Sequence, residues 1–145
     1  TTLTSQTGRD VFLARYSLAG AHDWSKSFSS TTTDIAGALT VDSSDDVTVI
    51  GSFAGTVNLG GDDLTSAGSG MEVFLGTFDG ETGNHLGSAR LGGTGQENGM
   101  DVAVAPDGRL YCAGHFEGFA EFGGVGYSAI GGVDGFIVGL NPLAN

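Results

Sequence analysis

Apolar residues in this chain fall in short runs of four to eight, rich in Val, Thr, Phe and Tyr and broken by glycine or acidic turns. That pattern belongs to β-strands. No window of 12 or more residues places apolar side chains at i, i+3, i+4 and i+7, so helix is expected to be nearly absent. The runs also recur. Val11-Phe12-Leu13, Val73-Phe74-Leu75 and Phe136-Ile137-Val138 each follow an acid, Asp10, Glu72 and Asp134, at successive intervals of 62 residues. Gly51 and Gly114, Phe53 and Phe116, and Gly60 and Gly123 are 63 apart, and Gly20-Ala21-His22 returns as Gly83-Asn84-His85. A period of this size marks one supersecondary unit, copied and burying its apolar faces against its neighbours. The units run 3–63, 64–126 and a partial 127–145, read together as a single domain.

Each unit reads as four strands. The first is small and apolar (Ile35 to Val41; Val102 to Ala105), and the second is longer (Val47 to Phe53; Arg109 to Phe116). The third carries the Val-Phe-Leu signature, and the fourth runs near Asp23 to Phe28 or His85 to Leu91. Asp107-Gly108 is expected to form a two-residue primed hairpin turn, with Asp45-Asp46 at the matching place. A first strand with small residues on both faces suits an axis where neighbouring sheets converge, as in a β-propeller blade.

The inner strand ending in Val41-Asp42, the hairpin Pro106-Asp107-Gly108-Arg109-Leu110-Tyr111-Cys112-Ala113-Gly114, the Asp-Val-Phe-Leu strand and Gly20-Ala21-His22-Asp23-Trp24 resemble the bacterial β-propeller repeats called SBBP, named for a seven-bladed propeller. The resemblance covers nearly the whole chain and implies an all-β propeller of four-stranded blades. It also implies a surface or secreted scaffold whose partners differ from protein to protein. The chain departs from the pattern at Gly87, the counterpart of Trp24, and at Ala105, the counterpart of Asp42.

Counted this way the chain holds nine strands, a little over two blades. Propellers have about four to eight blades, so closure is expected to come from other copies in a homo-oligomeric ring or from the rest of a longer chain. A closed ring of copies is the favoured arrangement, because open ends would leave apolar faces wet.

Charge narrows the partners. Seventeen acidic against five basic residues give a net charge of −12, which repels phosphate backbones and anionic lipid surfaces. Nucleic acid and membrane insertion are therefore not expected. No apolar run is long enough to span a bilayer and no charged-plus-apolar leader opens the chain, so it is expected to be soluble and, if exported, already processed. An extracellular or cell-surface location fits the resemblance and the acidity.

Candidate chemistry is sparse. The single cysteine, Cys112, lies in an apolar run and reads as a buried thiol. His22 and His85 occupy equivalent positions in different units, and His115 reads as a strand or rim residue; none has zinc-motif spacing. Asp42, Asp45 and Asp46 surround one turn without calcium-loop spacing, and Gly60-Gly61-Asp62-Asp63-Leu64 is a single copy of a motif that needs several. Gly92-Gly93-Thr94-Gly95 reads as a connection between units, with no helix after it to bind phosphate. No nucleophile elbow or phosphate loop is present, and no catalytic, cofactor or metal residue is assigned. The expected function is a noncatalytic binding or scaffold module that uses the loops Ser29 to Asp34 and Thr94 to Asn98 against a protein partner. The alternative is a multivalent lectin-like glycan binder, which would need exposed aromatics at repeat-equivalent positions such as Phe53 and Phe116, or at Trp24.

Overall fold

A computed structural model describes residues 2–5 and 8–143. Among them are eleven strands and no helix. Strands β1 (Val11–Tyr16) and β2 (His22–Phe28) form an antiparallel pair. They are followed by β3 (Asp34–Val41), β4 (Val47–Phe53), the short hairpin β5 (Thr56–Asn58) and β6 (Asp63–Thr65), then β7 (Glu72–Phe78) and β8 (His85–Leu91). Strands β3, β4, β7 and β8 make one antiparallel sheet in that order. The last sheet has three strands, β9 (Gln96–Val104), β10 (Leu110–Phe122) and β11 (Val125–Leu140), in the order β11-β10-β9. The architecture is all-β, built of several antiparallel sheets, none of them closed.

The strand count corrects the expected nine. The two additional strands, β5 and β6, have three residues each, too few for alternation to stand out in the sequence. The hairpin returns about 63 residues on as a continuation of β10 and β11, where Phe119 faces Ser128 and Phe122 faces Val125.

The turns correct a second expectation. Asp107-Gly108 does not make a two-residue primed turn, which would need an amide hydrogen on Pro106 to bond Arg109; Pro106 lies inside the loop instead. The Gly108 amide donates to Ala105 O at 2.8 Å and the Ala105 amide to Arg109 O at 2.8 Å, closing a three-residue loop with Gly108 at φ 82°. The equivalent loop does the same with Asp45 at φ 66°, its amide donating to Asp42 O at 3.2 Å. Asp42 Oδ1 accepts the amides of Ser44 (2.7 Å) and Asp46 (3.0 Å), so this acidic cluster is a hydrogen-bonded turn.

Neighbouring sheets bury their faces against each other. Val11, Leu13, Trp24 and Phe28 pack with Val49, Phe53, Phe74 and Phe78 at the first junction. Ile50, Val73, Leu75 and Leu91 pack with Val102, Leu110, Cys112 and Phe136 at the second. The first strands of adjacent sheets converge, and the carbonyl of Gly99 in β9 fills the space a Cβ on Gly37 of β3 would need. Within each sheet a glycine lies under a phenylalanine ring, Gly51 under Phe74 and Gly114 under Phe136, directly opposite in the strand register. The backbone repeat thus carries its side-chain packing with it.

At the two ends the same positions have no neighbour. Leu75 is fully buried, whereas its equivalent Ile137 is 82 % exposed. Phe74 is 1 % exposed and Phe12 69 %; Phe78 is 1 % exposed and Tyr16 61 %.

Candidate functional site

Most residues singled out in the sequence have structural places. Cys112 is buried, and burial pushes its thiol up to about 11, away from the reactive thiolate. His22 and His85 repeat one ring contact, edge-on to Tyr16 at 5.5 Å and to Phe78 at 6.1 Å between centroids, and so serve the same packing role in successive units. His115 is half-buried, its Nδ1 3.3 Å from Met100 Sδ. In the Gly60-Gly61-Asp62-Asp63 segment, Asn58 Oδ1 accepts the Gly60 amide at 2.7 Å and its Nδ2 donates to Asp63 Oδ1 at 2.7 Å, closing the β5–β6 turn. Among the described residues no group of three or more His, Cys, Asp or Glu is placed to hold a metal ion.

Phe53 and Phe116 are buried between sheets, and Trp24 is buried with its Nε1 donating to Gly80 O at 2.9 Å. The aromatics that a sugar-binding surface would need at these positions face the core. Where Trp24 has Gly87 as counterpart, the backbone at Leu143 lies against the glycine and leaves no room for a side chain.

The loops Ser29 to Asp34 and Thr94 to Asn98 differ from their expected role in one respect. Thr31, Thr32, Thr94 and Gln96 are exposed, but the acids at the strand starts, Asp34 and Glu97, turn inward and are buried. They are equivalent residues 63 apart, and each ties two sheets together. The Asp34 amide donates to Arg9 O and the Glu97 amide to Met71 O, both at 2.7 Å. Asp34 Oδ2 accepts the Ser30 amide at 2.5 Å, while Asp34 Oδ1 and both Glu97 carboxyl oxygens have no hydrogen-bond partner. Burial raises the pKa of Asp34, opposed by its bonds to Ser30 and assisted by the charge of Asp10. Burial pushes Glu97 up to about 7; the nearby Gly93 amide, too poorly aligned to count as a hydrogen bond, pulls the other way, Glu72 adds to the rise and Arg90 opposes it. Glu72 itself is buried, accepts the Ala67 amide and pairs with the Arg90 guanidinium. A carboxyl titrating near neutral pH can exchange a proton, and Glu97 lies at a packed sheet junction where Glu72 and Arg90 act on its charge. The signal that could have found it was in the sequence: an acid at the same place in two units, just before the first strand.

The second feature is a cavity of about 510 Å³ along the open side of β11. Phe116, Phe122, Tyr127 and Phe136 line it together with Asp134. Phe122 lies 4.6 Å from Phe136, 5.9 Å from Phe116 and 6.1 Å from Tyr127, centroid to centroid. Sixty-three residues earlier Leu59 and Leu64 stand in the places of Phe122 and Tyr127, so the later hairpin is the more aromatic. Asp134 is half-buried and its Oδ2 accepts the Ile130 amide at 3.0 Å. No protein-family model matches the chain, and no curated protein matches it in sequence.

Proposed function

We propose that this chain is a segment of a noncatalytic β-propeller scaffold or binding module, related to the SBBP repeats and working outside the cell or at its surface. The observation that carries this reading is the contrast between interior and ends. Residues buried at the junctions, Leu75, Phe74 and Phe78, have equivalents Ile137, Phe12 and Tyr16 that stand open at the two flanks. Further units, from other copies of the chain or from the rest of a longer one, cover those flanks in the same way. The meander β3-β4-β7-β8, with β3 approaching β9 at Gly37 and Gly99, supports this reading, since a blade is a four-stranded antiparallel sheet. Exposed residues such as Thr31, Thr32 and Thr94 in the loops and Gln96 at the start of β9 then face a protein or polymer partner.

A glycan array probed with the purified chain, with and without calcium, tests the functional half of this reading. Silence in both conditions is expected. Reproducible binding to one sugar class would transfer the function to a lectin-like module, with recognition by residues other than Phe53 and Phe116.

A further inference from the structure

Strand β7 is bounded on both sides, by β4 and β8, whereas β11, its equivalent, pairs only with β10. The repeat shows what belongs on the open side. On β7, Leu91 faces Val73 and Arg90 faces Phe74, and the Arg90 guanidinium pairs with Glu72. Sixty-two residues on, the three strand positions are Gly135, Phe136 and Asp134, and Phe136 and Asp134 line the aromatic cavity. Glu72 holds a loop amide, that of Ala67, on one oxygen and Arg90 on the other. Asp134 holds the corresponding loop amide, Ile130, on Oδ2.

We propose that the open edge of β11 is a strand-acceptor site for an extended peptide segment in which a basic residue precedes a large apolar one, the basic side chain entering the aromatic cavity beside Asp134. Main-chain pairing supplies the docking and the cavity supplies the selectivity. A guanidinium gains there both a carboxylate and ring faces, which together favour Arg over a neutral residue. The segment is one that carries this basic–apolar pair, and not the β1–β2 hairpin of a second copy, because β2 carries Ser27 where β8 carries Arg90. The site requires only that the β7–β8 pairing be repeated, so it stands whether or not the units close into a ring.

The probe is a fluorescent peptide with the sequence of Asn84 to Gly92, titrated into the whole chain and followed by anisotropy, at chain concentrations where sedimentation shows its smallest species. Saturable binding is expected, weaker by about ten-fold for the R90E peptide or for the D134N chain. The D134R chain should recover affinity for the R90E peptide. Absence of saturable binding, or equal binding of the Arg and Glu peptides, would overturn the proposal. The peptide comparison on the unaltered chain decides the matter even if the Asp134 variants fail to fold.

Discussion

Glu97 shows what it costs to bury a carboxyl at a sheet junction. It is buried without a hydrogen-bond partner for either carboxyl oxygen, and its pKa rises from 4.5 to about 7 on folding. The folded state therefore holds a proton that the unfolded chain gives up across that interval. Stability falls as pH rises from about 4.5 to 7, and the penalty is complete above it, amounting to about 3 kcal/mol. Glu97→Gln should raise stability by up to that amount at pH 8 and change little at pH 4.5, as read from urea midpoints at both values. A stabilisation independent of pH would refute the assignment. Cys112 provides a second test at this scale: its buried thiol should react with a disulfide reagent only as fast as the protein opens, and at the free-thiol rate in urea. Of these two residues the sequence revealed Cys112 readily, because an apolar run surrounds it. The inward turn of Asp34 and Glu97 was hidden, because acids at the mouth of a loop look solvent-facing until the neighbouring sheet is placed over them.

Among the elements, the paired Gly51–Phe74 and Gly114–Phe136 contacts explain why each second strand carries a glycine in its middle. A Cβ there would meet the phenylalanine ring and the neighbouring strand's carbonyl, so Gly51→Ala should destabilise by about 1–3 kcal/mol. Adding Phe74→Leu should return part of that loss in a double-mutant cycle, and strict additivity of the two changes would contradict the contact. Strands β3, β4, β7 and β8 were legible because each has seven or eight residues and its landmarks recur at fixed intervals. The hairpin β5–β6 was not, since three-residue strands leave no periodic trace. The turn type at Asp107-Gly108 was misread because the dipeptide alone favours a primed turn, whereas the strands pair at Ala105 and Arg109 and so leave three residues in the loop.

At the scale of the whole molecule, sheet contacts bury equivalent residues wherever a neighbour exists and leave them bare where it does not. Ile137→Glu should accordingly be tolerated by the isolated chain while blocking its association, whereas the equivalent Leu75→Glu should unfold it, since a charge would replace a fully buried side chain. Circular dichroism and sedimentation of the two variants separate those outcomes. The recurrence of glycine, phenylalanine and acidic landmarks could be read from residue spacing alone; the exposure of Ile137, Phe12 and Tyr16 could not, because it depends on which sheets lie side by side. Sedimentation velocity of the unmodified chain over a wide concentration range is the most direct measurement. A ring of copies predicts association beyond the 14.6 kDa chain as concentration rises. A single folded species of that mass at every concentration would contradict the ring and leave only further sequence to cover the flanks.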